Sequence, residues 1–254
     1  IPAEDYESAE QQSLINGYSD YPIGLIILTD TIFKKGLKSF IDWKTKSGYD
    51  VRVLYTGAGN AGSTFDEIKA SLTSLYNNLT SLGRTPDYLL IVGGLSRIPS
   101  SGGTTNVSDL YYSEFDGNGD YLPELYTGRI PVTDTVQLRV VMKKITDYEK
   151  CRFLPSADFW KRALTTAGND AGYQLFMNSQ VNYLRSNYFN SSNGIDGYGW
   201  YYPSSPQKDD SLKILINNGL SILNYTGHGE AAGLADPTLK VSGIASLNNQ
   251  GMYP

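Results

Sequence analysis

The sequence predicts an α/β fold in which helices cover both faces of parallel β-sheets. Short apolar segments typical of buried strands alternate with longer segments whose apolar residues have helical spacing, which is the pattern of consecutive βαβ units. The alternation occurs twice, and Leu154-Pro155-Ser156 separates the two series. We therefore expect two doubly wound subdomains, over residues 21–154 and 155–254, after a lead-in over residues 1–20. The second sheet is expected to be incomplete at the C-terminus.

In the first subdomain, the apolar runs Ile23–Thr29 and Tyr88–Val92 predict buried strands, and Tyr49–Tyr55 predicts a further strand between them in sequence. Thr64 and Glu67 are spaced as in a capping box, so a helix is expected to begin there. A long loop is expected between Gly93 and about Ile130. The predicted elements, in chain order, are strand 23–29, helix 33–46, strand 49–55, the helix that opens at 63–64, strand 88–92 and helix 134–150.

The second subdomain repeats the alternation. Its predicted elements are strand 163–167, helix 173–189, strand 199–202, helix 211–218 and strand 220–225. Because βαβ connections join parallel strands, the C-terminal ends of these strands are expected at one sheet edge, which is where open α/β sheets bind their ligands.

Composition excludes some classes of partner. The 254 residues carry a net charge of -5 and contain no strongly basic run, which argues against nucleic acid or an anionic membrane surface as a partner. No run of apolar residues is long enough to span a membrane. The chain begins at Ile1 and stops at Pro254, so we expect it to be a processed or excised piece of a longer protein.

The sharpest functional motif places His228 between Gly227 and Gly229, directly after a predicted buried strand. It is the only histidine of the sequence, and histidine is the residue type that ordinarily titrates near neutral pH. At a ligand-binding edge it can take a proton from a nucleophile and return it to a leaving amine. The flanking glycines let a substrate approach the backbone, and the Gly229 N–H can face a developing oxyanion. A surface turn that contains a histidine is the alternative.

Asp170 is the candidate partner of this histidine. It follows the first strand of the second subdomain, so parallel pairing would bring it to the same sheet edge as His228. A carboxylate there can orient the imidazole and stabilise the imidazolium. An N-cap of the following helix explains the same residue, and the sequence leaves both interpretations open.

A glycine-rich loop, Gly57–Gly62, formally matches the dinucleotide-binding fingerprint. In that motif the glycines open the helix and its N-terminus holds the pyrophosphate. Here Ser63 and Thr64 precede the helix instead, and the loop follows the second strand rather than the first. A flexible loop is the favoured interpretation.

Asp116, Asn118 and Asp120 place oxygen ligands at alternate positions, as at the start of a calcium-binding loop. The next acid, Glu124, comes too early for an EF-hand. A tight turn rich in Asp, Asn and Gly explains the same residues, so the calcium site and the plain turn both stay open.

Cys151 is the only cysteine, and it lies at the C-terminal end of a predicted helix. The negative end of the helix dipole disfavours a thiolate, so this is a poor position for a nucleophile. The sequence also has no G-x-S-x-G elbow to support serine hydrolase chemistry.

Five segments, in the same order, resemble the gingipain-type cysteine peptidases of family C25. The resemblance extends from about Ile23 to Pro254. The segments are Phe40-Ile41-Asp42-Trp43-Lys44, then Tyr88–Gly94 with Ile98-Pro99, then Ser108-Asp109-Leu110-Tyr111-Tyr112, then Gly128-Arg129-Ile130-Pro131, and finally Asn224-Tyr225-Thr226-Gly227-His228-Gly229, which is the most specific.

The resemblance implies a caspase-like fold and a secreted or cell-surface bacterial endopeptidase that acts on proteins and peptides. It implies His228 as the general acid and base, Gly229 as an oxyanion-hole amide and, by a looser match, Asp170 as the orienting acid. No cofactor is implied, although family members often bind calcium. The family's nucleophilic cysteine lies in the strand after the histidine, so it is expected beyond Pro254. This chain alone is expected to be inactive and to need the rest of its own polypeptide.

Two other functions remain as alternatives to a peptidase. One is a non-catalytic, protease-like binding or assembly module of a secreted bacterial protein. The other is a nucleotide-binding domain that uses the loop Gly57–Gly62. No acidic residue matches the family's pocket residue for basic side chains, so the sequence assigns no side-chain preference.

Overall fold

The structure, a computed structural model, describes residues 22–102, 107–117, 122–152 and 157–252. Contacts divide the chain into two compact units, Ile1–Thr146 and Asp147–Pro254. The expected lead-in, residues 1–20, and the expected separator, Leu154-Pro155-Ser156, lie outside the described residues. The subdomain limits at 20/21 and 154/155 therefore stay predictions.

The first unit contains a four-stranded parallel sheet with the strand order β2-β1-β3-β4. Three of its strands have the predicted bounds, and the fourth lies in the segment that was expected to be a loop, so that prediction was wrong. The fourth strand escaped prediction because its five residues, Tyr-Thr-Gly-Arg-Ile, contain a single aliphatic side chain and form no apolar run. The strands are β1 Ile23–Thr29, β2 Tyr49–Tyr55, β3 Tyr88–Val92 and β4 Tyr126–Ile130.

Helices cover both faces of this sheet, as a doubly wound fold requires. They are α1 Lys34–Lys46, α2 Phe65–Ser81 and α3 Thr135–Glu149. Alternate residues of β1 enter opposite layers: Leu25 and Ile27 share an apolar cluster with residues of α1 and α3, whereas Ile26 and Leu28 share one with residues of α2. The central strand is thus apolar along its length because both of its faces are buried.

The second unit repeats this design around a three-stranded parallel sheet with the order β6-β5-β7. Its elements are β5 Arg162–Ala167, α4 Gln174–Asn187, β6 Asp196–Trp200, α5 Asp209–Asn217 and β7 Ile222–Thr226. Leu164 packs in one cluster with residues of α5, and Ala167 packs in another with Met177 and Val181 of α4. The prediction of a doubly wound α/β fold is therefore confirmed in both units.

Strand β6 begins three residues and ends two residues earlier than predicted. Its sequence, Asp-Gly-Tyr-Gly-Trp, lacks the apolar run of a buried strand. A Cβ on Gly197 would lie 1.9 Å from the carbonyl oxygen of Phe189, so the approach to β6 tolerates only glycine there. The glycines of β6 are required by close packing against the α4–β6 connection, so this strand lacks the apolar residues by which buried strands are usually predicted.

After β7 the chain forms a small antiparallel sheet that the sequence did not indicate. Its strands are β8 Gly229–Glu230, β9 Gly233–Leu234 and β10 Leu239–Lys240, in the order β10-β9-β8, and the short helix α6 Val241–Ile244 follows. Two-residue strands carry no periodic pattern, which is why they were missed. In the described part of the chain, no helix has both the length and the apolar character needed to cross a membrane.

Arg129 on β4 holds the segment after β3 against the sheet. Its guanidinium donates to both carboxylate oxygens of Asp109 at 2.7 Å, to the Gly93 carbonyl oxygen at 2.7 Å and to that of Ile98 at 3.1 Å. The Ser100 hydroxyl accepts from Arg129 at 2.9 Å and donates to Asp109. Burial raises the pKa of Asp109, but the bonds from Arg129 and Ser100 outweigh it, so the pKa lies below its usual value.

Replacing Arg129 by Lys should lower the free energy of unfolding by about 3 kcal/mol, because one ammonium cannot replace the fork of donors around a mostly buried carboxylate. Urea denaturation followed by circular dichroism measures this loss. The loss should shrink as the pH falls through the lowered pKa of Asp109, since protonation removes the same ion pair. The matched control, Arg139→Lys on the exposed surface of α3, should change stability by less than about 0.5 kcal/mol. Equal free energies of unfolding for the native protein and Arg129→Lys would contradict the proposed role of Arg129 in holding the segment after β3.

Candidate active site

The parallel pairing of β5 with β7 brings two loops to one sheet edge. Ala167 at the end of β5 is level with Thr226 at the end of β7, and the Gly168 N–H donates to the Thr226 carbonyl oxygen at 2.7 Å. A Cβ on Gly168 would lie 2.9 Å from the Cα of Gly227. The two loops therefore touch through glycines at the point where they leave the sheet.

The structure brings the two predicted side chains together. His228 Nε2 lies 2.8 Å from Asp170 Oδ2. The hydrogen bond from His228 is the main reason that the pKa of Asp170 lies below its usual value, and the N–H of Gly172 also contributes. An ionised carboxylate only accepts hydrogen bonds, so Nε2 carries the proton of this bond. In a neutral ring, Nδ1 then holds the free lone pair.

The N-cap alternative for Asp170 is wrong. Helix α4 begins at Gln174, and its N-cap is Tyr173. The Asp170 carboxylate instead accepts from the Gly172 N–H at 2.9 Å, within the turn that precedes the helix. This turn holds one carboxylate oxygen and leaves the other directed at the imidazole.

Separate contacts hold the backbone of His228. The Tyr225 hydroxyl donates to the His228 carbonyl oxygen at 2.7 Å, and the Ala235 N–H donates to the same oxygen at 3.3 Å. A Cβ on Gly227 would lie 2.6 Å from the Tyr225 hydroxyl oxygen, so glycine leaves room for this bond. The side chain of His228 is 69% exposed, so the ring is accessible from solvent.

The N–H of Gly229 points away from the small sheet. The bond from Ala235 to His228 makes these two residues a hydrogen-bonded pair, and the next pair, Gly229 with Leu234, is then a non-hydrogen-bonded one. The strand order places β8 at the edge of its sheet. The Gly229 N–H is thus directed towards the open edge, beside His228.

Cys151 lies at the opposite end of the second sheet. The ring of Tyr148 packs edge-on against Trp160, with ring centroids 4.8 Å apart, and Trp160 immediately precedes the last residue before β5. The Trp160 carbonyl oxygen accepts from the hydroxyl of Ser221, which precedes β7. These contacts keep Cys151 near the amino ends of the strands, whereas His228 follows a carboxyl end.

Peptidase family C25 is the family whose sequence model matches this chain, over residues 18–254. The chain belongs to this family. Lys-gingipain of Porphyromonas gingivalis is 32% identical over 236 residues, which are 91% of this chain and 13% of that protein. Gingipain R2 of the same species is 24% identical over 237 residues, 91% of this chain and 31% of that protein. The chain thus spans less than a third of the length of these C25 relatives.

Solved structures confirm the caspase-like α/β fold predicted from the resemblance. A structure described as that of a protease has a TM-score of 0.80 at 28% identity, over 95% of this chain and 53% of the other. The crystal structure of the Arg-specific cysteine proteinase gingipain R has a TM-score of 0.71 at 19% identity, over 93% of this chain and 54% of the other. The C25 chain therefore has the fold of a cysteine proteinase.

The contacts of the glycine-rich loop disfavour a nucleotide site in this C25 chain. The N–H of Gly57 donates to the Gly62 carbonyl oxygen at 2.7 Å, so the loop is closed on itself. The Glu67 carboxylate accepts from the N–H groups of Ser63 at 2.8 Å and Thr64 at 3.0 Å, and the predicted capping box is confirmed. A carboxylate already lies where a helix N-terminus would hold a phosphate.

The calcium site stays a prediction, because Asn118 and Asp120 lie outside the described residues. Asp116 is described, and the nearby Glu124 carboxylate accepts from the N–H of Phe115. Within residues 22–102, 107–117, 122–152 and 157–252, no three acidic, histidine or cysteine side chains form a group that could hold a metal ion.

Sequence reasoning missed the residues that support the pair. The Tyr225 hydroxyl fixes the His228 backbone, and Thr226 donates to Gln180 of α4 at 2.8 Å beside the same site. Tyr225 and Thr226 lie within the motif, so their position was a usable signal. Gln180 is 46 residues away from Thr226 and gave no local signal.

The titration of Asp170 tests the pair. Carbon-13 NMR should give a pKa for its carboxyl below the usual value, and His228→Gln should raise that pKa, because the largest lowering contribution is lost while the Gly172 N–H remains. The stability supplied by the pair is present above the ordinary carboxyl pKa and disappears as the pH falls through the lowered one. The pKa of Asp109, in the other unit, is the control and should not change. If the pKa of Asp170 were the same in His228→Gln as in the native protein, the hydrogen bond between these two side chains would be contradicted.

Proposed function

We propose that this chain forms part of a cysteine endopeptidase in which His228 is the general acid and base. Asp170 orients the imidazole, and the N–H of Gly229 donates to the oxyanion. The observation that carries the proposal is the 2.8 Å bond between His228 and Asp170 at the carboxyl ends of two parallel strands. Membership of a peptidase family supports the reaction class.

The nucleophile in this proposal is a cysteine that follows Pro254 in the native polypeptide. Cys151, the only cysteine of the sequence, lies near the amino ends of the strands, whereas His228 follows a carboxyl end. The chain by itself would then be inactive, and the remaining part of its own polypeptide would be its first partner.

Proton transfer at Nδ1 of His228 then accounts for both halves of the reaction. The thiol gives its proton to Nδ1, and the thiolate attacks the scissile carbonyl carbon, whose oxygen accepts from the Gly229 N–H. As the carbon–nitrogen bond breaks, Nδ1 returns the proton to the departing amine and a thioester remains. Water then gives a proton to Nδ1, attacks the thioester and releases the thiol and the carboxylic acid. Asp170 stabilises the imidazolium in each half.

The proposed substrates are proteins and peptides, and the proposed location is outside the cell or on the surface of a bacterium. The relatives named above come from a bacterium, which supports a bacterial source for this chain. The net charge of -5 supports a partner other than nucleic acid.

Covalent labelling of the complete native gene product tests the mechanism. A panel of peptidyl electrophiles should label one cysteine beyond Pro254, mapped by peptide mass spectrometry. His228→Ala should slow labelling by roughly 10²–10⁴-fold, and Asp170→Asn should slow it by roughly 10-fold or more, because the imidazole loses its proton-transfer role or its orientation. Asp196→Asn, an exposed position at the start of β6, is the matched control and should label at the native rate.

Two other outcomes would contradict the proposal. If the folded and processed product carries no cysteine that reacts, the peptidase proposal fails and a non-catalytic binding or assembly module replaces it. Labelling that survives His228→Ala at the native rate would leave the nucleophile without its proposed base. Thermal unfolding of each variant separates lost chemistry from lost folding.

Structural calcium, held by Asp116, Asn118 and Asp120, is a further part of this proposal; no cofactor is assigned. These oxygen ligands are of the type that calcium prefers. Calcium at about 100 times its dissociation constant should stabilise the fold by roughly 2.7 kcal/mol, and scanning calorimetry would register it as a rise in melting temperature. Asp116→Asn should reduce the rise, whereas Asp196→Asn should not. No rise in the native protein would remove calcium from the proposal.

A further inference from the structure

We infer that Asp209, on helix α5, is a positioning residue for the pair formed by His228 and Asp170. It acts through the turn 235–238, which connects β9 to β10 in the small antiparallel sheet. This inference rests on the proposed peptidase function, in which the imidazole is held at a fixed place against its carboxylate. Contacts at both ends of the turn and within it carry the inference.

Asp209 anchors one end of the turn to helix α5. Its Oδ1 accepts from the N–H of Thr238 at 2.6 Å, and a carboxylate makes such a bond shorter and stronger than a neutral acceptor does. The next residue, Leu239, packs against the apolar cluster that contains Leu212 and Ile216 of the same helix. A polar contact and an apolar contact therefore both hold this end of the turn on α5.

Helix α5 is itself fixed to the strand that leads to Asp170. Leu164 of β5 is fully buried in the same apolar cluster. Strand β5 continues from there to Ala167, at the sheet edge where the loop with Asp170 begins. The bond from Asp209 to Thr238 thus fixes the turn relative to the strand whose loop carries the orienting carboxylate.

An internal hydrogen bond holds the turn in shape. The Thr238 hydroxyl donates to the Ala235 carbonyl oxygen at 2.9 Å, and Pro237 between them is buried. Because this one hydroxyl joins the two ends of the turn, a displacement at Thr238 is passed on to Ala235.

The other end of the turn contacts both loops that carry the pair. The Ala235 N–H donates to the His228 carbonyl oxygen at 3.3 Å, which is long for such a bond and leaves little room for further displacement. A Cβ built on Gly168 would lie 3.3 Å from the carbonyl oxygen of Asp236, so the turn also lies against the loop after β5. One turn, anchored by Asp209, therefore touches both loops.

The same turn fixes the strand that carries the Gly229 amide. Gly229 of β8 pairs with Leu234 of β9, and Leu234 directly precedes Ala235 in the turn. A shift of the turn would therefore move the backbone of His228 and the proposed oxyanion donor together.

Labelling of the complete native gene product by a peptidyl electrophile tests the inference. Asp209→Ala removes the acceptor and should lower the maximum rate of labelling by roughly 10-fold, while the electrophile concentration that gives half of that rate changes less than about two-fold, because the pair is displaced and the bound peptide keeps its contacts. Asp209→Asn keeps an oxygen that accepts from the Thr238 N–H and should restore most of the rate.

Asp210→Ala is the matched control for these variants. It removes the same charge one position along α5, from a side chain that is 96% exposed and whose ion pair with Lys213 is 3.8 Å long. It should label at the native rate.

The pKa of the Asp170 carboxyl, measured by carbon-13 NMR in the same product, separates positioning from a purely structural role. The hydrogen bond from His228 is the largest cause that lowers this pKa, so displacement of the imidazole in Asp209→Ala should raise it. Loss of the charge of Asp209 alone acts in the opposite direction, because a nearby negative charge disfavours ionisation of a carboxyl. A rise in Asp209→Ala without a rise in Asp210→Ala therefore reports a displaced pair.

Thr238→Val breaks the turn at a second point. It loses the hydroxyl bond to Ala235 but keeps the main-chain N–H that donates to Asp209. It should also slow labelling and raise the pKa of Asp170. In the double variant with Asp209→Ala the two effects should be less than additive, because both act through one turn.

The outcomes distinguish this inference from the proposed function. An unchanged Asp170 pKa in Asp209→Ala and Thr238→Val, each shown to be folded by thermal unfolding, overturns the inference whatever their labelling rates. A raised pKa with labelling at the native rate also overturns it, since the displacement would then not affect the reaction. A native product without a reactive cysteine overturns the proposed function, and the pKa of Asp170 then still decides whether Asp209 positions the imidazole.

Discussion

Strand β5 lies between β6 and β7, and its burial fixes the position of the two loops that form the site. Residues Ala163 to Ala167 are all buried, with helix α4 on one face and α5 on the other. Apolar burial supplies the free energy that keeps β5 level with β7. The exposed imidazole of His228 contributes little of this energy, so the site depends on a core of which it is not itself a part.

Strands with a continuous apolar run could be predicted from the sequence, whereas two of the edge strands, β4 and β6, could not be placed correctly. The runs that became β1 and β3 had the predicted bounds because a strand between two helical layers requires apolar residues throughout. The edge strand β2 also had its predicted bounds, although it contains Asp50 and Arg52. Strand β4 exposes Tyr126 and uses Arg129 to hold a loop, and β6 contains Gly197 and Gly199. Tertiary contacts determine which residues these two strands contain, and a local sequence pattern does not reveal those contacts.

The candidate site shows the same division. His228 and Asp170 were predicted because each follows a recognisable strand, and parallel strands end at one edge. Which nitrogen of His228 meets the carboxylate, and which way the Gly229 N–H points, depend on the turn at Gly172 and on the register of β8 with β9. These features depend on the backbone conformation of a short turn and a short hairpin, which neither spacing nor composition specifies.

The hydrogen bond between Asp170 and His228 also makes the orientation of the imidazole depend on the native pairing of β5 with β7. A slip of β5 against β7 by one residue would move the strand ends by about 3.3 Å and turn alternate side chains to the opposite face. The 2.8 Å contact between the imidazole and the carboxylate would not survive that displacement. A nascent or mispaired chain therefore has no carboxylate in place to hold the imidazole of His228, so the orientation of this ring is acquired only when the second sheet is correctly paired.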